Sequence, residues 1–169
     1  LYYQEACRYW AKAFDCLPYF KRNGKRTEPP HGRTIGFGSK DAAAFAACLV
    51  NSSLFFWFYS VFSDCEHIND GLIRTFRVPA DWQTANWAHL CADLSASIQA
   101  NAKRKVITTK QGHVIEYDEI NASVSKSILD QVDCSLAKLY GFSGEELDFI
   151  VNYDIKYRLG AEVEDTGEE

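Results

Sequence analysis

Apolar and polar residues in the first half of the chain predict two consecutive helices. Ser39 has the side chain of an N-cap residue and precedes the alanine-rich residues 42–50, which predict the first helix. The polar residues 51–53 interrupt it. Residues 54–62, with the sequence LFFWFYSVF, are apolar on every side of a helical wheel, so the second helix is expected to be buried all round.

Apolar spacing in the second half predicts three more helices. Asp81 is expected to cap the first of them, and the basic residues 103–105 fall near its end, where cations interact favourably with the helix dipole. Ser143 and Glu146 form an S-x-x-E capping box at the start of the third helix. The inner face of the first helix is formed by Trp87, Leu90, Cys91, Leu94 and Ile98. The second helix stops at Gly141 and repeats an apolar residue every four positions, at Val124, Ile128, Val132, Leu136 and Tyr140.

Turn residues divide the remaining segments into short strands. Asn23-Gly24 predicts the tip of a hairpin within residues 19–26, and this tip presents four cations around a tight turn. Further strands are predicted at residues 33–37, at residues 72–79 with Pro79 as the end, and at residues 106–109 and 114–117, which form a hairpin around Gly112.

These elements predict an α+β protein with two main segments. Residues 1–79 form a small mixed α/β recognition module, and residues 80–159 form a mainly helical segment with a small hairpin that packs on it. Residues 160–169 contain five acids and are expected to be a flexible tail. The chain contains no methionine and begins at Leu1, so we expect it to be a piece of a longer protein.

Charge is distributed unevenly along the chain. Residues 1–60 contain eight Lys/Arg and four Asp/Glu, a net charge of +4, and the remainder carries −9 of the total of −5. A basic half joined to an acidic half suits a protein with one phosphate-facing surface, although an ordinary solvated surface also fits. The longest apolar run is far shorter than a membrane span, so a cytoplasmic protein without membrane contact is expected.

Catalytic and metal-binding motifs are absent from the sequence. The chain has no G-x-S-x-G elbow, no H-E-x-x-H motif and no P-loop, and its four histidines are scattered. The G-x-G at residues 36–38 lacks the third glycine of a dinucleotide-binding loop. None of the six cysteines forms a C-x-x-C pair, so reduced thiols without zinc are expected. No catalytic, cofactor-binding or metal-binding residue is therefore assigned.

Basic residues in the turn-rich first segment are the candidates for DNA contact. Lysine and arginine at a hairpin tip bind phosphates, and arginine or asparagine side chains that reach a groove distinguish base edges. A solvated loop without a ligand is the alternative interpretation of the same residues. The candidates are Lys21, Arg22, Asn23, Lys25, Arg26 and Arg33.

Two motifs resemble parts of adenine-N6 DNA methyltransferases. Residues 50–59, VNSSLFFWFY, followed by FRVP at residues 76–79, resemble the target-recognition region of these enzymes in Type I and Type IIG restriction–modification systems. Val50 and Arg77 stand where the family usually has leucine and proline. Residues 136–143, LAKLYGFS, and 145–158, EELDFIVNYDIKYR, are similar to the carboxy-terminal end of the Type IIG-like enzymes.

The resemblance implies a DNA-binding specificity region without catalysis of its own. In the family an upstream domain binds S-adenosylmethionine and holds the flipped adenine with an N-P-P-Y/F motif. That motif is missing here, since the prolines of residues 28–31, EPPH, lack the flanking residues. Double-stranded DNA and the upstream methyltransferase domain are the implied partners, in a bacterial or archaeal cytoplasm. A protein-interaction or regulatory domain that does not bind DNA is the alternative.

Overall fold

The computed structural model describes residues 1–7 and 10–153, and within these ranges the chain has the expected α+β class. The predicted acidic tail and the end of the second family-like motif lie outside the described residues. The strands are β1 (Tyr2–Gln4), β2 (Ala13–Phe14), β3 (Phe20–Arg22), β4 (Lys25–Arg26), β5 (Gly32–Thr34), β6 (Lys103–Thr108) and β7 (Val114–Glu119). The α-helices are α1 (Lys40–Asn51), α2 (Ser53–Phe62), α3 (Asp70–Thr75), α4 (Trp87–Asn101), α5 (Lys126–Tyr140) and α6 (Gly144–Asn152).

The strands form two small antiparallel sheets. The first has the order β2-β1-β5, and the second has the order β4-β3-β7-β6. The second sheet joins the hairpin near residue 23 to the hairpin near residue 112 through the pairing of β3 with β7. Both predicted hairpins are therefore confirmed, and a non-local strand pairing connects them.

Local capping signals set several helix ends as predicted. The Ser39 hydroxyl accepts a hydrogen bond from the Ala42 amide at 3.1 Å and begins α1. Gly141 ends α5 with a left-handed φ of 70°. Ser143 and Glu146 form the capping box of α6. The inner face predicted for α4 is confirmed at its four buried positions, Trp87, Cys91, Leu94 and Ile98.

The structure corrects several predicted elements. Residues 72–79 do not begin as a strand, because Asn69 caps the short helix α3 and accepts a hydrogen bond from the Leu72 amide at 2.9 Å. Asn86, not Asp81, caps α4. The basic residues 103–105 lie in β6, since Ala102 has an extended backbone and ends α4 before them. The strand predicted at residues 33–37 is shorter and covers Gly32–Thr34.

The helix α2 is not buried on all sides. Its first two turns lie in the core, where Phe55, Phe56 and Tyr59 are buried, but its last turn reaches the surface. There Val61 is 49% exposed and Phe62 is 62% exposed. The prediction of all-round burial is therefore wrong at the carboxy-terminal end of this helix, and the exposed side chains form an apolar surface.

A buried polar corner joins α1 to α2. The Asn51 side-chain amide donates to the carbonyls of Ala13 at 2.7 Å and Ala47 at 2.8 Å, and its oxygen accepts from the Ala13 amide at 3.3 Å. The Ser52 hydroxyl caps α2 by accepting from the Phe55 amide at 3.1 Å. The Ser52 bond satisfies a backbone amide that the break between the helices leaves open, and the Asn51 bonds satisfy the buried backbone of Ala13 in β2.

A carboxylate from the second half of the chain also contacts this corner. The Ser53 amide donates to the carboxylate of the buried Asp133 in α5 at 2.8 Å. Around this contact the two halves share an apolar core that includes Phe45, Leu49, Trp87 and Val132. The two predicted segments thus pack directly on each other, and a boundary between separate domains after Pro79 stays a prediction.

Length and apolarity decide whether one of the described helices could cross a membrane. None of them is, by itself, both long and apolar enough to cross a bilayer. The pair α1 and α2 reaches the required length and apolarity jointly, but the two helices are bent by 67° at the break between them.

We expect the substitution Asn51→Ala to lower the free energy of unfolding by about 2 to 3 kcal/mol, because the buried backbone amide and carbonyl of Ala13 lose their partner. Urea unfolding monitored by circular dichroism measures the change. Asn101→Ala is the control, since the exposed Asn101 side chain bonds only within its own helix, and a change within about 0.5 kcal/mol is expected. Equal effects of the two substitutions would contradict the role of Asn51.

Candidate nucleic-acid interface

The hairpin formed by β3 and β4 has the backbone of a tight two-residue turn. Asn23 and Gly24 have φ values of 51° and 76°, the left-handed pair that an Asn-Gly sequence adopts most readily in such hairpins. Arg22 faces Lys25 and Lys21 faces Arg26 across the two strands. The turn therefore places four cations within two facing pairs at one end of the sheet.

Asn23 attaches this tip to the tip of the second hairpin. The backbone amide of Asn23 donates to the Val114 carbonyl at 2.7 Å, and the side-chain oxygen of Asn23 accepts from the backbone amide of Val114 at 2.9 Å. The side-chain nitrogen lies 3.1 Å from Nδ1 of His113. Because both polar groups of the Asn23 side chain are engaged within the protein, the structure gives this candidate residue a structural role at the tip.

A second basic stretch lies on the same sheet. Lys103, Arg104 and Lys105 lie in β6, and Lys110 is exposed in the turn that follows it. The pattern of the sequence predicts a helix end at residues 103–105 and gives no indication that they lie near the first hairpin. The sequence does contain an indication of this strand. In KRKVIT the basic residues are followed by β-branched residues, which favour a strand.

Acidic residues of β7 neutralise part of this basic surface. Lys21 Nζ lies 3.8 Å from Glu116, Arg104 Nε lies 2.6 Å from Asp118, and Lys105 Nζ lies 3.4 Å from Glu119. Opposite charges at such distances reduce the positive potential available to a phosphate.

Four cations on the sheet differ from these. They form neither an ion pair nor a cation–π contact with any described residue, and we call them the unpaired cations: Arg22, Lys25, Lys103 and Lys110. All four are exposed. Since no carboxylate competes for them among the described residues, they are the groups on this sheet that are best able to contact an external anion.

Tyr19 organises three other cations. The Arg104 guanidinium carbon lies 3.3 Å from the centre of the Tyr19 ring, the Arg26 guanidinium carbon at 4.7 Å and Lys21 Nζ at 5.4 Å. The Tyr19 hydroxyl donates to Glu116 at 3.0 Å. A hydrogen bond with Tyr19, followed by the charge of Glu116, raises the pKa of Lys21. These cations are therefore held in place by the protein itself.

Arg33 does not join the other candidate residues. It lies in β5 of the first sheet and forms an ion pair with Glu5. The hydrogen bond with Glu5 is the largest cause of the raised pKa of Arg33. The structure thus brings five of the six predicted residues together on the second sheet and places Arg33 on the first.

Two thiols lie together in the core. Cys48 and Cys91 are buried between α1 and α4, and a hydrogen bond with Cys91, together with burial, raises the pKa of the Cys48 thiol. Within the described residues, no group of three or more His, Cys, Asp or Glu side chains is arranged to hold a metal ion.

Residues of the two family-like motifs form contacts that hold the fold together. Residues 51–53 form the buried corner, and Asp133 in α5 closes it. The Tyr140 hydroxyl donates to the Arg77 carbonyl at 2.8 Å, so the second motif contacts the end of the first. The chain matches no protein-family model, and no curated protein or solved structure is significantly similar to it.

We expect Asn23→Gly to loosen the junction between the two hairpin tips while keeping the turn, because glycine adopts positive φ readily. The Val114 amide then loses its hydrogen bond to the Asn23 side chain. Hydrogen exchange of the Val114 amide should become about fivefold faster, since such a bond contributes about 1 kcal/mol. Nuclear magnetic resonance measures this rate. The amide of Tyr117 in the same strand is the internal control, and equal acceleration at both amides would contradict a local junction.

Proposed function

We propose that this chain is the DNA-binding specificity region of an adenine-N6 DNA methyltransferase, which reads the target sequence for a catalytic domain located elsewhere in the protein. The observation that carries the proposal is the pair of adjoining hairpin tips with exposed cations at their ends. Arg22 and Lys25 lie on one tip and Lys110 on the other, and Asn23 holds the tips together.

The geometry of the sheet suits a duplex groove. A two-stranded antiparallel ribbon fits the major groove of DNA, where every base pair presents a distinct pattern of donors and acceptors. The unpaired cations would contact phosphates and fix the position of the sheet on the duplex. Gln111, exposed at the second turn, has a side-chain amide of the kind that recognises adenine.

The acidic partners on β7 limit the strength of this interaction. Glu116, Asp118 and Glu119 already neutralise three of the cations on the sheet, and the whole chain carries a net charge of −5. Few phosphates would be neutralised, so affinity in the isolated chain should be modest and should decrease as salt rises.

The proposal assigns methyl transfer and S-adenosylmethionine binding to the upstream methyltransferase domain. Phe62, which is 62% exposed, contacts the Trp57 ring, and Trp57 lines a depression together with Phe149, which is 58% exposed. This exposed apolar surface fits a contact with that domain. Glu145 and Glu146 lie beside this surface and line the same depression as Trp57 and Phe149. A bacterial or archaeal cytoplasm is the location that the proposal implies.

The same apolar surface supports the second candidate function. Exposed apolar patches with a polar rim are typical of protein-binding sites. If the duplex does not bind, a protein-interaction or regulatory domain becomes the better account, with this surface as the contact.

We expect the double substitution Arg22→Ala and Lys25→Ala to weaken binding to random duplex DNA. Two lost phosphate contacts should make the slope of log affinity against log salt shallower by about two, measured between about 50 and 200 mM salt. Fluorescence anisotropy with a labelled duplex measures both the affinity and the slope.

Arg74→Ala with Lys138→Ala is the matched control. It removes one arginine and one lysine that are exposed on α3 and α5, so the change in net charge is the same. Binding by the control variant should equal that of the unaltered chain. Equal weakening in both variants would attribute binding to net charge and contradict the proposed tip, and no binding at either salt would favour the protein-interaction function.

A further inference from the structure

A groove separates the first sheet from one face of the second. Its volume is about 420 Å³, within the range of small-molecule sites. The buried rings of Tyr2 and Phe14 line it from the first sheet, and the neighbouring rings of Phe20 and Tyr117 line it from the second. None of the DNA-contacting roles proposed above uses this groove.

The alternation of side chains along the first sheet explains the composition of the wall. Tyr3 and Ala13 point into the main core, while Tyr2 and Phe14, which face each other across β1 and β2, line the groove. Gln4 and Lys12 follow at the same alternation and also line it. Their backbones are joined by a hydrogen bond of 2.9 Å from the Gln4 amide to the Lys12 carbonyl. Two polar side chains therefore stand side by side on an aromatic wall.

The Lys12 ammonium group forms no hydrogen bond or ion pair with any residue in the described part of the chain. Burial lowers its pKa, against smaller opposing effects of Cys7 and Glu119. The Glu119 carboxylate is instead paired with Lys105 at 3.4 Å. A half-buried cation without a partner is costly, and an anion in the groove would remove that cost.

The Gln4 side chain adds a neutral donor and acceptor beside this cation. Its amide forms no hydrogen bond with the residues that the structure describes. Such a group recognises the polar edge of a heterocycle, and aromatic walls favour a planar ring. A purely aliphatic ligand would leave both polar groups without partners.

We propose that this groove binds a nucleotide, with the base against the aromatic wall near Gln4 and the phosphate at the Lys12 ammonium. The ligand is either a free mononucleotide or one nucleotide of a single strand, since both present the same ring and phosphate. The proposal does not depend on duplex binding by the hairpin tips, because it uses other residues on another surface.

Isothermal titration calorimetry of the full chain with deoxyadenosine monophosphate tests the groove. Deoxyadenosine and inorganic phosphate, each lacking one half of the ligand, should bind more weakly. Lys12→Met should reduce the affinity for deoxyadenosine monophosphate by about tenfold or more, because a charge-assisted hydrogen bond is lost. Lys126→Met is the control of equal charge, since Lys126 pairs with Asp130 on α5, and it should leave the affinity unchanged.

Thermal unfolding of the same variants separates binding from folding. Lys12→Met removes a desolvated charge, so its Tm should equal or exceed that of the unaltered chain.

A single-stranded oligodeoxyadenylate that binds more tightly than the mononucleotide would assign the groove to a nucleic-acid strand. Tighter binding of the mononucleotide would assign it to a free nucleotide. No saturable binding of deoxyadenosine monophosphate up to about 1 mM, or unchanged affinity in Lys12→Met, would overturn the proposal. Arg22→Ala with Lys25→Ala should leave mononucleotide binding intact, which distinguishes failure here from failure at the hairpin tips.

Discussion

The buried polar corner at residues 51–53 is the constraint on which the arrangement of the helices depends. The break between α1 and α2 opens backbone groups inside the core, and such groups are costly unless they find partners. The Asp133 carboxylate from α5 satisfies the Ser53 amide, and the Asn51 side chain bonds the Ala13 backbone of β2. Since these partners come from a strand and from a distant helix, the corner fixes both halves of the chain around one bend of 67°.

The second sheet depends on a different kind of constraint. Its two hairpins are local, but they become one surface only through the pairing of β3 with β7 and the side chain of Asn23. This junction brings together cations separated by about eighty residues in sequence, and β7 then neutralises some of them. The surface that remains for an external anion is therefore smaller than the count of lysines and arginines suggests.

Local chemistry made much of the fold predictable from sequence. The Asn23-Gly24 turn, the Ser39 cap and the Gly141 stop each act within a few residues, so the sequence shows them directly. Competing local signals and non-local contacts explain the failures. Residues 72–79 contain several apolar side chains and fit a strand, but Asn69 caps a helix that begins at Asp70 and includes residues 72–75. No local sequence pattern predicts that Lys21 forms an ion pair with Glu116 or that Arg33 lies in the other sheet, because the order of the strands determines both.

Mapping of backbone amide signals during titration with a random duplex at low salt tests the central claim most directly. We predict that nuclear magnetic resonance shifts will concentrate at residues 22–25 and 110–113, the two hairpin tips that Asn23 joins. The amides of β1 and β5 should keep their positions, and raised salt should reverse the shifts. Shifts centred on the exposed aromatic residues of α2 and α6, or no shifts at all, would contradict a DNA-reading role for this sheet.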